Sequence, residues 1–239
     1  MLRMNFFGGF SLWRGNSALT GSVTQRRRIA IFALLASGGE RGVSRTRIQS
    51  LLWPDSEPSQ ARHVLNQLLY LQRRGLSETA VFVGGKTLRL NPEAVTSDVM
   101  EFDGALRRAD PATAVGRYGG PFLDGFVMAD ASEFERWMEE CRGRYARLFA
   151  ESLRKLAGSA ESGGDPLAAS GWWQRAVDHD SLDSTAVEGL MRTLANAGNV
   201  VAALRAARDY QARLAAELGL RPSGEIAALT ERLSIGRLR

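Results

Sequence analysis

The stretch from Pro58 to Gly75, PSQARHVLNQLLYLQRRG, constrains the fold more than any other part of the chain. It is turned at about 100° per residue with Arg62 set to zero. Ala61, Val64, Leu65, Leu68 and Leu71 then fall between roughly 180° and 300°. Ser59, Arg62, His63, Asn66, Gln67, Tyr70, Arg73 and Arg74 fall between roughly 0° and 140°, with Leu69 on the border. A helix of this kind must bury one side against other elements and carries a row of hydrogen-bond donors on the opposite side. Gln72 interrupts the apolar side, where leucine is expected, so it needs either a frayed helix end or a buried partner.

The flanking segments supply candidates for that core. Residues 2–14 and 18–20 read as strands broken by Gly8-Gly9 and by Arg14-Gly15-Asn16-Ser17. From Arg26, IAIFALLA is apolar on nearly every side and stops at Gly38-Gly39, the pattern of a short buried helix with a glycine cap. Ser44 caps a second helix, Arg45 to Trp53, with Ile48, Leu51 and Leu52 inward. VFV, Gly84-Gly85-Lys86 and TLRL read as a hairpin. Strands, three helices and a hairpin are the order of a winged helix-turn-helix with an added N-terminal antiparallel sheet.

On the polar side of the third helix, Arg62, His63, Asn66, Gln67, Tyr70 and Arg73 are types that reach base edges in a major groove. Arg45 and Arg47 open the second helix, where backbone amides favour a phosphate. Ser59 and Arg74 at the ends of the third helix, and Lys86 and Arg89 on the hairpin, add phosphate or groove contacts. Arg26-Arg27-Arg28 is read as either a phosphate contact or a solvated cluster.

Catalytic and metal chemistry find no support in the sequence. Gly84-Gly85-Lys86-Thr87 resembles the end of a phosphate-binding loop, but Ala80 stands where that pattern requires glycine. His63, His179 and the single Cys141 lack ligand spacing, and no nucleophile elbow occurs. The expectation is no enzyme, no cofactor and no metal. The absence of a long apolar run or signal peptide predicts a cytoplasmic protein without a membrane partner.

The net charge of +5 conceals a break at Asp98. Residues 1–97 carry 13 Lys/Arg against 5 Asp/Glu, and the remainder carries 18 against 21. The first part is thus +8 and the second −3, which suggests a polyanion-binding module, 1–97, joined to a partner-facing one, 98–239. The second part is helical in pattern, beginning at an Asp98/Glu101 capping box. Gly164 and Gly198 lie 34 residues apart, with Leu156/Leu190, Ala168/Ala202, Ala169/Ala203 and Ala176/Tyr210 at the same offset. This is the period of tetratricopeptide-like helix pairs. Trp137, Trp172 and Trp173 are read as core.

Three stretches resemble one family. LLASGGERGVSRTRIQSLLWPDSEPSQARHVLNQLLYLQRR (34–74) is similar to the winged helix of the SARP family, the antibiotic regulatory proteins of Streptomyces and their wider relatives. YGGPFLDGF (118–126), followed by EFERWMEECRGRYARL, and LAAELGLRPSGEIAAL (214–229) resemble that family's bacterial transcriptional activator domain. The resemblance implies a mainly α chain with a small β part: an OmpR-like winged helix, then a tetratricopeptide-like all-α domain. It also implies binding to direct repeats in double-stranded promoter DNA, recruitment of RNA polymerase and residence in the bacterial nucleoid. Under it the recognition helix corresponds to 59–74 and the wing to 83–88. The polymerase-facing loop, toward the sigma or alpha subunit, corresponds to Asp55, Ser56 and Glu57 within 54–58. Without a phosphate loop or receiver domain, the chain resembles the family's short form.

The function expected is a sequence-specific transcriptional activator, homodimeric at least on DNA. The competing expectation is a helical-repeat adaptor for protein partners whose winged helix does not read DNA. The polar density of the third helix discriminates, because an adaptor does not need it.

Overall fold

The computed structural model describes residues 1–76 and 81–235; Ala80 and the last four residues of the 98–239 module lie outside them. Three strands open the chain, β1 (Leu2–Asn5), β2 (Ser11–Arg14) and β3 (Ser17–Ala18), antiparallel as expected. A fourth, β7 (Val95–Ser97), was not read from the sequence and pairs parallel to β1, with Leu2 opposite Val95 and Met4 opposite Ser97. Leu2, Met4, Val95 and Ser97 are all buried, so the register follows the inward face.

The winged-helix elements come out in the expected order. Helix α1 (Arg26–Gly38) is buried continuously from Arg28 to Ala36, which is why its sequence is apolar all round, and it ends on Gly39 at φ 52°. Ser44, in β4 (Val43–Ser44), caps α2 (Arg45–Leu52) by accepting from the Arg47 amide at 3.1 Å. Helix α3 spans Pro58–Gly75, with proline at its first turn. The hairpin of β5 (Phe82–Val83) and β6 (Thr87–Leu90) is extended by β4 into a three-stranded sheet, order β4-β6-β5.

Helix α4 (Asp98–Arg107) corrects the expected capping box. The cap is Ser97, which accepts from the Met100 amide at 3.1 Å, while Glu101 accepts from the Thr96 hydroxyl at 2.8 Å. Asp98 is instead buried and turned to the end of β1, accepting from the amides of Phe6 (2.8 Å) and Phe7 (2.9 Å) and from its neighbour Val99 (2.7 Å). Those amides lie just past the sheet ladder and need an acceptor. After α5 (Pro111–Arg117), the 118–126 segment packs against the same region. Phe7 and Phe122 form a bridge, the Leu123 amide donates to the Phe6 carbonyl at 2.7 Å, and Phe7, Phe102, Phe122 and the fully buried Tyr145 form an aromatic cluster.

Residues Met1–Arg147 form one compact unit and Leu148–Arg239 a second, the division falling within the long helix α6 (Ser132–Ser162). The second unit continues with α7 (Pro166–His179), α8 (Ser184–Asn196), α9 (Val200–Leu218) and α10 (Gly224–Ile235), neighbouring helices packing in tetratricopeptide-like succession. Trp173 is buried here, its indole donating to Glu161 at 2.8 Å and lying where any side chain on Gly189 would stand; Trp137 and Trp172 are half-buried.

The 34-residue period has a concrete form. Asp165 and Asn199 cap α7 and α9 through the amides of Ala168 (2.9 Å) and Ala202 (3.1 Å). Each is preceded by a left-handed glycine, Gly164 (φ 73°) and Gly198 (φ 80°). Their own amides run back to Ala160 (2.9 Å) and Leu194 (2.8 Å). The same turn joins α4 to α5, where Asp110 accepts from Thr113 (3.0 Å) and its amide reaches Ala105 (2.9 Å). Here the left-handed residue is Ala109, φ 55°.

Ala109→Gly removes the Cβ penalty of that conformation and is expected to stabilise by about 0.5–1 kcal/mol, whereas Gly164→Ala and Gly198→Ala cost about 1 kcal/mol each, read by urea unfolding. Burial pushes the Asp98 carboxyl from 3.8 up to about 6, against the pull of the Phe7, Phe6 and Val99 amides. An acid that holds its proton more tightly folded than unfolded contributes most stability below about 3.8 and loses it as pH rises through 6. The stability advantage of the wild type over Asp98→Ala is therefore expected to shrink by on the order of 2 kcal/mol between about pH 4.5 and 7.5. An advantage that grows over that interval contradicts the assignment.

Candidate nucleic-acid interface

On α3, Ala61, Leu65, Leu69 and Gln72 are buried and Val64, Leu68 and Leu71 are half-buried. The core side is thus rotated toward Leu69 from the position the sequence suggests. Gln72 belongs to it: its amide donates to the Val23 carbonyl at 3.1 Å, a partner 49 residues away. That bond engages its donor side, while the buried Oε1 has no partner among the described residues.

The opposite side presents Ser59, Arg62, His63, Asn66, Gln67, Tyr70 and Arg74, all exposed, with Tyr70 60% accessible. A tyrosine ring this accessible costs apolar exposure that packing does not return. Arg73 departs from the set. It is half-buried, its guanidinium lies 6.0 Å from the Phe82 ring, and Nη2 is 3.4 Å from the Phe82 carbonyl. It is packed onto the hairpin.

The hairpin turns at Gly84, φ 99°, where any Cβ would run into the Thr87 carbonyl. Lys86 and Arg89 are exposed, with Leu88 and Leu90 inward between them. Arg45 sits where helix and hairpin meet. Its Nη1 donates to Asn66 Oδ1 and its Nε to the Gly85 carbonyl, both at 2.7 Å, while its own amide donates to the Lys86 carbonyl at 3.0 Å. Partial burial and the nearby Arg73 guanidinium lower its pKa. Arg47 is exposed on α2. In the loop before α3, Asp55 and Glu57 are exposed and Ser56 is half-buried.

The arginine triplet is mostly structural. Arg28 is buried and donates to the Ser22 carbonyl at 2.7 Å; Arg27 pairs with Asp130 at 2.6 Å and lies 5.6 Å from the Trp53 ring. Several other arginines are ion-paired. Arg27, Arg107, Arg117, Arg136, Arg142, Arg144, Arg154 and Arg192 all pair with carboxylates. Among the described residues, Arg45, Arg47, Arg62, Arg74, Lys86 and Arg89 make no ion pair. A cluster of basic side chains free of ion pairs suits a polyanion. No group of acidic, cysteine or histidine side chains among the described residues is arranged to hold a metal ion, and no helix is long and apolar enough to cross a membrane. The sequence offered no signal for the Arg45 contacts, since their acceptors lie 21 and 40 residues away.

Residues 94–234 match the family described as the bacterial transcriptional activator domain. None of the curated proteins matches the chain. Its fold is similar to that of EmbR of Mycobacterium tuberculosis, solved in complex with a low-affinity phosphopeptide, with a TM-score of 0.67 at 18% identity. The likeness covers 98% of this chain and 65% of the EmbR chain, so the chain spans about two-thirds of that protein's length.

Proposed function

Because the chain belongs to the bacterial transcriptional activator domain family, whose members are transcriptional activators of the SARP type, we propose that it binds promoter DNA through α3 and the hairpin. The observation that carries this reading is the exposed, acid-free polar side of α3 beside a basic hairpin. Arg62, His63, Asn66, Gln67 and Tyr70 reach base edges, while Arg47, Ser59, Arg74, Lys86 and Arg89 hold phosphates and set register. Arg73 braces the hairpin in place of reading a base.

Two copies on a direct repeat place their recognition helices about one helical turn apart, on one side of the duplex. The helical repeats, 98–239 by sequence, hold the pair together and keep a net negative surface off the DNA. Asp55, Ser56 and Glu57 face the sigma or alpha subunit of RNA polymerase, and the protein acts in the nucleoid. The family is one of transcriptional activators and not a class of enzymes.

Binding to promoter fragments measured against salt is the direct test. With roughly five phosphates contacted, log K is expected to fall with a slope near −4 to −5, and Lys86→Ala is expected to weaken all sequences alike and reduce that slope by about one. A flat slope, or equal affinity for promoter and random DNA, removes the proposal and leaves the adaptor reading. Asn66→Ala is expected to relax preference at one base position by about 1–3 kcal/mol, read from a panel of single-base operator variants. A uniform loss across the panel makes Asn66 a phosphate contact instead.

A further inference from the structure

The sequence places Arg45 among the phosphate contacts, yet two of its three guanidinium nitrogens already bond within the protein, at its surface. Nη1 donates to Asn66 Oδ1 and Nε to the Gly85 carbonyl, each at 2.7 Å. The Arg45 amide adds a third bond, to the Lys86 carbonyl at 3.0 Å. One residue at the start of α2 thus ties the middle of α3 to the tip of the hairpin. These are charge-assisted bonds from a planar fork, the geometry in which arginine fixes direction as well as distance.

One consequence follows. The side-chain carbonyl of Asn66 is held by a cation, so its Nδ2 is left as the outward donor toward the groove. Partial burial and the nearby Arg73 guanidinium lower the Arg45 pKa, and Arg73 is itself held by the Phe82 carbonyl and ring.

We propose that Arg45 is a positioning residue for base reading: it fixes the orientation of the Asn66 amide and the placement of the hairpin tip relative to α3, and does not itself grip a phosphate. The inference rests on the DNA-binding reading above and deepens it. A positioning residue moves specificity, whereas a phosphate contact moves affinity for every sequence and the salt slope.

The test uses the full chain with Arg45→Lys, which keeps the charge but loses the planar fork, and measures promoter over random-DNA preference at several salt concentrations. Preference is expected to fall about tenfold with the salt slope unchanged, and Arg45→Lys is expected to cost less in an Asn66→Ala background than in the wild type. Retained preference in Arg45→Lys, or additive losses in the double variant, overturns the inference. A second measurement needs no DNA. In the free protein, the Asn66 side-chain amide resonances are expected to shift in Arg45→Ala, while the resonances of α1 and of the β1–β2 pair, in the same compact unit, stay unchanged and report an intact fold. Asn66 resonances that do not move overturn the positioning role. Should the wild type show no sequence preference, the functional proposal fails by itself, and the resonance measurement still decides whether Arg45 holds Asn66.

Discussion

The Asp98 carboxylate is the contact on which the first compact unit depends. It sits where β1 stops pairing, and it satisfies the Phe6 and Phe7 amides as the chain turns toward the aromatic cluster. Its own position, one residue past the Ser97 cap, couples the start of α4 to the end of the first strand. Burying a carboxylate is costly, and three backbone amides offset part of that cost here. The parallel pairing of β7 with β1 and the docking of Phe122 and Leu123 bring their backbone to the same place. The charge break at Asp98 is therefore not a packing boundary. The residue at the break is among the most tightly bonded in the unit, and the compact unit runs on to Arg147.

Within that unit the basic side chains divide into two populations. Several of those away from α3 and the hairpin are neutralised by carboxylates or folded onto carbonyls and rings, as with Arg27, Arg28 and Arg144. Those around α3 make no ion pair among the described residues, and two of them, Arg45 and Arg73, are drawn into joining helix to hairpin. Scattered surface arginines gain little by remaining unpaired, so a concentration of them on one surface is a property that folding stability does not explain.

The second unit is built by repetition of one turn more than by repetition of residues. The left-handed residue, the capping side chain and the amide running back five positions recur there at Gly164-Asp165 and Gly198-Asn199, and the same turn occurs in the first unit between α4 and α5 at Ala109-Asp110. The first two were legible as a 34-residue period because glycine marks the left-handed position. The third was hidden by alanine, which pays strain for the same geometry.

The sequence by itself determined the winged-helix order, the limits of α1, α2 and α3, the Ser44 cap and the exposed row from Ser59 to Arg74. Each is a local matter of periodicity, capping and chain stiffness, which spacing along the chain expresses directly. Only the tertiary structure decided that Gln72 is core, that Arg73 braces the hairpin, that Arg45 holds Asn66 and that β7 joins the first sheet in parallel. The physical reason is common to all four. Periodicity says which way a side chain points, but its partner comes from a segment 9 to more than 90 residues away, and no local pattern encodes what that segment will offer.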